Sequence, residues 1–343
     1  MSKSQRWILV VAIGLITISG LIFKQTRSSA IAVLRTGTPV FGIAFSGDGT
    51  VLITGDRKGI IYWWDVASQQ PIHTIQAHTG TMYRLTLNPA GTILASVGAD
   101  TGVHLWNPNT GTALFVIPNP DRIVDIGFSP NGELLAGAGR EGRVYIWSVS
   151  DGILLTTFHG HIRDGIAQGV SQVEWSPDSE LLASGGGDGS VYLWRVSDGT
   201  MIQQLLDPTT RAIIRGMVFS PDGQVLIEGR DDTTIHEWSV KHGTVNQVLG
   251  KSRARVWALD MHPHEARFAS AGGPVRPREE EGLIVFNKKD DTTIYLWRVG
   301  DNQPYMALKG HKETINSVAW SRDGGLLASG SDDGTIRIWR INQ

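Results

Sequence analysis

Seven tryptophans, each ending a short apolar stretch, constrain the fold of this chain more than any other feature. The stretches read IIYWW, VHLW, VYIW, VYLW, IHEW, IYLW and IRIW, and they end at Trp64, Trp106, Trp147, Trp194, Trp238, Trp297 and Trp339. Successive members are 42, 41, 47, 44, 59 and 42 residues apart. Apolar and other residues alternate before each tryptophan, as in a half-buried β-strand. Such a period predicts several copies of one structural unit.

A turn signal precedes each of these tryptophans. The signals read SGDG, NPAG, SPNG, SPDS, SPDG, HPHE and SRDG, starting at Ser46, Asn88, Ser129, Ser176, Ser220, His262 and Ser321. Pro, Asp, Asn and Gly in these patterns favour tight hairpin turns. Each unit therefore holds about four short strands, here called a to d in chain order. One such unit cannot bury both of its faces, whereas seven stacked around an axis can.

These residues resemble the WD40-repeat family of β-propellers over residues ~30–343, which implies an all-β, seven-bladed propeller. The resemblance also implies a buried tetrad of His, Ser, Asp and Trp within a blade. Three units carry all four residues: His78, Ser96, Asp100 and Trp106; His161, Ser184, Asp188 and Trp194; His311, Ser329, Asp333 and Trp339. The other units depart from the pattern. Lys58 stands at the Asp position of the first unit, which also lacks the His, and Glu228 stands at the hydroxyl position of the fifth.

The last unit stops one strand early, four residues after Trp339. The first unit, in contrast, is preceded by an apolar stretch at residues 29–34 that has no strand c before it. We therefore predict that this N-terminal stretch is the outer strand of the seventh blade. It would close the ring and remove the free sheet edges.

The first residues differ in kind from the repeats. Residues 7–23 carry no charge and are long enough for a transmembrane helix, between a basic flank at 1–6 and a linker at 24–28 that leads to the propeller at 29–343. The alternative is a secretory signal peptide cleaved near Ala32. We favour an uncleaved anchor because the apolar run exceeds that of most signal peptides and cleavage would remove the closing strand. A slight excess of positive charge before the segment favours a propeller outside the cytoplasm.

One face of the propeller is the expected working surface. By the strand order, the N-terminal segment joins the propeller at the face that carries the SPDG-type turns, here called the bottom face. The opposite face, here called the top face, would then point away from a membrane. Just before strand a, at the top rim of the channel, we align Phe41, Tyr83, Val124, Ser171, Arg215, Trp257 and Asn316. The candidate partner-binding residues are Phe41, Tyr83, Arg122, Arg215, Arg255, Trp257 and Asn316. Exposed aromatics with Arg are typical of interaction hot spots, although the aromatics could instead pack between blades.

An insertion at residues 272–291 also lies on the top face by this strand count. Its LIVF stretch predicts an added hairpin or a docking edge, and the alternative is a neutral surface insertion.

The composition of the chain argues against some classes of function. A net charge of −2 argues against a protein dedicated to nucleic acid, and the absence of cysteine excludes thiolate metal sites. Ser, His and Asp recur at three equivalent places beside a repeat tryptophan, which indicates a structural network rather than a hydrolase triad. We therefore expect a monomeric, membrane-tethered scaffold for a protein partner, without catalytic residues, metal or cofactor. The alternative is an extracytoplasmic propeller that binds or acts on a small ligand or metal in its central channel.

Overall fold

The computed structural model describes residues 29–163, 165–249, 254–274, 279–280, 283–284 and 291–341. These residues form seven four-stranded antiparallel sheets and two small hairpins. In each sheet the innermost strand a contacts the a strands of the neighbouring sheets, so the sheets stand as blades around a central channel. The expectation of an all-β, seven-bladed propeller is confirmed.

The blades follow one another in sequence order, and each uses four consecutive strands apart from the insertions and the closure. Blades 1 to 3 contain β2 (Val40–Phe45), β3 (Val51–Asp56), β4 (Ile60–Asp65), β5 (Gln70–Gln76), β6 (Met82–Leu87), β7 (Leu94–Gly98), β8 (Val103–Trp106), β9 (Ala113–Ile117), β10 (Ile123–Phe128), β11 (Leu134–Gly139), β12 (Arg143–Ser148) and β13 (Leu154–His159). Blades 4 to 7 contain β16 (Val170–Trp175), β17 (Leu181–Gly186), β18 (Ser190–Arg195), β19 (Met201–Leu206), β20 (Ile214–Phe219), β21 (Val225–Arg230), β22 (Ile235–Ser239), β23 (Thr244–Leu249), β24 (Arg255–Met261), β25 (Arg267–Gly273), β28 (Ile294–Arg298), β29 (Met306–Leu308), β30 (Ile315–Trp320), β31 (Leu326–Ser331), β32 (Thr335–Arg340) and β1 (Ala32–Arg35).

Two loops between these strands carry hairpins of their own. The loop before blade 4 holds β14 (Ile162–Arg163) and β15 (Ile166–Ala167), which pair antiparallel. The insertion in blade 6 holds β26 (Glu279–Glu280) and β27 (Leu283–Ile284), which also pair antiparallel. An added hairpin was one of the two structures expected for this insertion.

The N-terminal strand closes the ring. Strand β1 pairs antiparallel with β32, with Ala32 opposite Ile338 and Arg35 opposite Thr335. The alternation along β1 matches this position, because Ala32 and Leu34 are buried while Ile31 and Val33 are exposed. The predicted closure is thus confirmed. It also places the start of β1 at the bottom face, beside the C-terminal end of β32.

Seven hydrophobic clusters form the core, and each lies between two neighbouring blades rather than within one. The cluster around Trp147, for example, joins Val97 and Leu105 of blade 2 to Ile126 and Leu135 of blade 3. Because every blade shares its apolar side chains with both neighbours, the blades stabilise one another around the ring.

The predicted transmembrane helix at residues 7–23 lies outside the described residues. Among those that are described, the structure contains no helix with the length and apolar character needed to span a bilayer.

Candidate functional site

A β-bulge occurs in every blade at the top end of the central channel. Each strand a carries a β-bulge near its start, where one residue is left out of the pairing with strand b. The bulged residues are Phe41, Tyr83, Val124, Ser171, Arg215, Trp257 and Asn316. A bulge redirects a side chain away from the regular pleat. The sequence analysis placed these residues just before strand a, which is wrong, because they lie inside it.

The seven bulged residues line one cavity at the top end of the channel, with a volume of about 210 Å³. Arg84, Asp125, Arg140 and Gln172 complete its wall. Each blade thus contributes its bulged side chain to the same cavity, and three of the seven side chains are aromatic. This arrangement is the structural basis of the candidate site.

Two arginines of the cavity lie against its aromatic rings. The guanidinium of Arg215 is 5.8 Å from the ring centre of Trp257, and that of Arg140 is 5.7 Å from the ring centre of Tyr83. Arg215 also donates two hydrogen bonds to Asp231, of 3.0 and 2.9 Å. Arg215 is therefore held in place by an ion pair with Asp231. Such prior fixation lowers the entropy cost of binding.

The remaining candidates occupy different surroundings. Arg122 is exposed and does not line the cavity. Arg255 lies outside the cavity as well, with its guanidinium 4.0 Å from Asp231. Asn316 lines the cavity and donates hydrogen bonds to Asp332 (2.8 Å) and to the Val40 carbonyl of blade 1 (3.2 Å). The cavity therefore brings together five of the seven candidate partner-binding residues and omits Arg122 and Arg255.

The three predicted tetrads form chains of hydrogen bonds inside blades 2, 4 and 7. In blade 7 the indole N–H of Trp339 donates to the Ser329 hydroxyl (3.0 Å), which lies 2.8 Å from His311 Nε2. His311 Nδ1 lies 3.1 Å from Asp333. Burial alone would raise the pKa of Asp333, but hydrogen bonds from His311, from Thr335 and from the Lys312 N–H lower it well below the usual range. The corresponding chains of blades 2 and 4 have the same order.

Blade 1 completes its network with residues that the repeat pattern did not indicate. Asp56, rather than the residue at position 58, accepts a hydrogen bond of 3.2 Å from the Tyr62 hydroxyl and one of 2.5 Å from Thr38. Thr54 accepts the indole N–H of Trp64 at 2.8 Å. Lys58 therefore stands at the aligned Asp position, as the sequence indicates, and Asp56 makes the hydrogen bonds in its place. An acid two residues earlier, together with a threonine, replaces the missing His–Asp pair.

Sequence reasoning placed Arg84 near the top rim of the channel but missed three carboxyl residues that influence it and one another there, Asp125, Glu174 and Asp260. Asp125 is 2% exposed, and its Oδ1 lies 3.2 Å from Nε of Arg84 in the neighbouring blade. Burial, with the nearby charges of Asp260 and Asp125, raises the pKa of Glu174 to about 8. Burial also raises the pKa of Asp260 to about 7. These residues belong to blades 2, 3, 4 and 6, so their mutual influence arises across the channel. Carboxylates in otherwise apolar strands, as in QVEW and ALDM, were the available signal.

One group of side chains has the composition of a metal site. The ligand atoms of His78, Asp100 and His104 lie within 4.8 Å of one another. Both ring nitrogens of His78 are already engaged, however, with Ser96 (2.7 Å) and Asp100 (2.6 Å). A metal bound here would have to displace the tetrad of blade 2, so the geometry favours a structural role for these residues.

Comparison with known proteins supports the repeat assignment. The family model described as "WD domain, G-beta repeat" matches residues 29–65, 69–107, 111–148, 152–195 and 302–340, together more than half of the chain. The WD40 repeat-containing protein HOS15 of Arabidopsis thaliana is 36% identical over 78 residues, which cover 22% of this chain and 13% of the relative.

Two further relatives show similar partial matches. Eukaryotic translation initiation factor 3 subunit I of Aspergillus terreus is 30% identical over 87 residues, covering 25% of this chain and 26% of the relative. The probable cytosolic iron-sulfur protein assembly protein Ciao1 of Culex quinquefasciatus is 35% identical over 97 residues, covering 27% and 24%. The matched segments thus span about a quarter or less of each relative. The five repeat matches and the closed seven-bladed ring show that the chain belongs to the WD40-repeat family.

Proposed function

We propose that this protein is a monomeric, membrane-tethered WD40 scaffold that presents the top face of its propeller to a protein partner. One observation carries the proposal, namely the convergence of all seven bulged side chains on one open cavity. Aromatic and arginine side chains in a concave, partly desolvated site are the usual anchors of protein interfaces. Two relatives support a scaffold role by their names, one a subunit of a translation initiation factor and one an assembly protein.

We further propose that the protein acts by binding and not by catalysis. The serines of the three tetrads, Ser96, Ser184 and Ser329, have 0% exposure. Each of them accepts an indole N–H and contacts a histidine. Their hydroxyl groups are therefore out of reach of a substrate, which favours the structural interpretation of these Ser–His–Asp sets.

A pull-down with variants of the cavity tests the scaffold proposal. We expect Phe41→Ala with Trp257→Ala to remove the partner recovered with the full-length chain, since loss of each anchor costs about 2 kcal/mol of binding. The matched control is Ile72→Ala with Leu155→Ala, two exposed side chains of outer strands. Melting temperatures establish that all variants fold. Loss of the partner from the control pair with retention by the cavity pair would contradict the proposal.

The membrane tether has its own test. Residues 7–23 are uncharged, and β1 begins at the bottom face, so a membrane helix there would turn the top face away from the bilayer. We expect the full-length chain to stay in the membrane fraction after carbonate washing, and a chain lacking residues 1–28, which keeps β1, to be released. Equal release of both would refute the tether.

For the side of the membrane we propose an extracytoplasmic propeller. Protease added to sealed cells freed of their outer wall should then digest it. Protection that is lost only on lysis would place the propeller in the cytoplasm.

A second candidate function is ligand binding by the charged groups at the base of the cavity, where it meets the channel. Asp125 lies 3.2 Å from Arg84, whose charge also acts on Glu174 and Asp260, and burial raises the pKa of each of the three carboxyls. Perturbed titratable groups in a concave site favour ligand binding. Elemental analysis of the protein purified from its native membrane, together with mass spectrometry of released small molecules, tests this candidate.

A further inference from the structure

One residue position recurs from blade to blade at the mouth of the top cavity, and it is here called the rim position. It directly follows strand b, and its backbone N–H donates to the carbonyl two residues before the bulged residue of strand a. These hydrogen bonds are between 2.8 and 3.1 Å long and start from Arg57, Ala99, Arg140, Gly187, Asp231 and Asp332. Because the bulged residues line the cavity, the rim positions surround its mouth.

Blades 5 and 7 carry an aspartate at the rim position, and both aspartates bond to the bulged residue of their own blade. Asp231 accepts two hydrogen bonds from Arg215, of 3.0 and 2.9 Å, so its charge is neutralised. Asp332 accepts one hydrogen bond of 2.8 Å from the side-chain amide of Asn316 and keeps its charge. The negative charge of the rim is therefore confined to blade 7.

Blades 1 and 3 carry an arginine at the rim position. Arg57 and Arg140 are exposed, and neither forms an ion pair within the part of the chain that the structure describes. Arg140 also lines the cavity, against the ring of Tyr83. Each arginine has a second exposed cation beside it, Lys58 in blade 1 and Arg122 in blade 3, whose carbonyl accepts the Arg140 N–H. Arg57, Lys58, Arg122 and Arg140 are here called the rim cations.

The carboxyl groups on the top loops of blades 1 to 3 are engaged with other partners. Asp56 accepts from Thr38 and Tyr62, Asp100 contacts His78 and accepts the Thr79 N–H, Asp121 accepts from Tyr145, and Glu141 lies 3.6 Å from Arg143. The positive charge of the rim cations is therefore left for a partner.

The excess of positive charge is local, because the chain as a whole carries a net charge of −2. The a–b turns of the bottom face carry acids in every blade except blade 2, namely Asp48, Glu133, Asp178, Glu180, Asp222, Glu265 and Asp323. Charges of opposite sign on the two faces steer an acidic molecule toward the top of blades 1 to 3.

We propose that the partner segment bound at the top cavity is an acidic peptide, whose carboxylates pair with the rim cations while a neighbouring apolar side chain enters the cavity. This inference rests on the proposed scaffold function and names the chemistry of its partner. Guanidinium groups suit carboxylates because they can donate two parallel hydrogen bonds. The acidic part lies over blades 1 to 3, since Asp332 repels it from blade 7. The other polyanion, a nucleic acid, is disfavoured by the net negative charge of the chain.

Selection from a random peptide library displayed on phage, with the full-length chain in detergent as bait, tests this proposal. Peptides that need the cavity are those lost with Phe41→Ala plus Trp257→Ala, and we expect them to be rich in Asp and Glu. A synthetic copy of an enriched peptide should bind Arg57→Gln plus Arg140→Gln about three- to tenfold more weakly, because each exposed ion pair contributes modestly. Raising the ionic strength from about 0.05 M to about 0.5 M should weaken its binding to the wild type.

The matched control is Lys241→Gln plus Arg340→Gln, which removes two exposed cations from the bottom ends of blades 5 and 7 and should leave peptide binding unchanged. Cavity-dependent peptides without an acidic bias, or with equal affinity for the wild type and for the variant of the two rim arginines, would overturn the acidic partner and leave the scaffold proposal standing. Recovery of no cavity-dependent peptide would contradict both. Tighter binding of single-stranded oligothymidylate than of the enriched peptides would assign the rim cations to a nucleic acid instead.

Discussion

At the scale of single residues, the polar groups inside the blades are the most constrained part of the molecule. Ser329 is fully buried and serves both Trp339 and His311. We expect Ser329→Ala to lower the free energy of unfolding by about 1–3 kcal/mol, because an indole N–H and a ring nitrogen lose their partner in the interior. Urea denaturation measures this change. Ser150→Ala, at an exposed turn serine, should change the stability by less than about 0.5 kcal/mol. Equal effects of the two variants would refute the buried network.

The channel carboxyls predict a dependence of stability on pH. Burial raises the pKa of Glu174 from 4.5 to about 8, so the folded state holds a proton that the unfolded state releases. Stability should therefore fall as the pH rises from about 4.5 to about 8. We expect Glu174→Gln to reduce this fall and to raise the free energy of unfolding at pH 8 by about 2 kcal/mol, less than the full shift implies because solvent reaches the channel.

Unfolding free energies of the wild type and of Glu174→Gln, measured at pH 5 and pH 8, test this prediction. Glu180→Gln, at an exposed turn, is the matched control and should leave the pH dependence of the wild type unchanged. If Glu174→Gln retained the full loss of stability between these two pH values, the channel carboxyl would not be its source.

At the scale of elements, the closing strand is the most instructive feature. Leu34 is 3% exposed and packs between blades 7 and 1, while its neighbour Val33 on the same strand is 36% exposed. We expect Leu34→Ala to cost about 2–4 kcal/mol through the cavity it leaves, and Val33→Ala to cost less than about 1 kcal/mol. Thermal and urea unfolding of both variants measure the difference. Similar losses would mean that β1 does not seal the ring in solution.

The elements also show what the sequence could and could not predict. Tryptophan spacing and turn signals sufficed for seven blades, and the missing strand after Trp339 was enough to predict the closure. The bulges were not predictable, because a bulge changes the pairing of strands a and b without changing the period of the pattern. The meeting of Asp125, Glu174 and Asp260 was likewise hidden, since it depends on the convergence of distant strands on one axis. Asp56 was missed because it lies two residues before the Asp position of the repeat, at the end of strand b, where the repeat pattern specifies no acid.

At the scale of the whole molecule, neighbouring blades share their hydrophobic clusters around the closed ring. The seven shared clusters bind each blade to both neighbours, so the bulged residues at the top are held in fixed relative positions. The top cavity offers aromatic rings with arginines lying against them.

Photo-crosslinking from defined positions tests the central claim, that the top cavity holds the partner, most directly. A photoreactive phenylalanine analogue replaces Phe41 in the cavity or, as a control, the exposed Ile72 of an outer strand. After irradiation of intact cells, we predict a crosslinked partner from position 41 and none from position 72. Crosslinking from position 72 with none from position 41 would contradict the account and would move the interface to the circumference of the propeller.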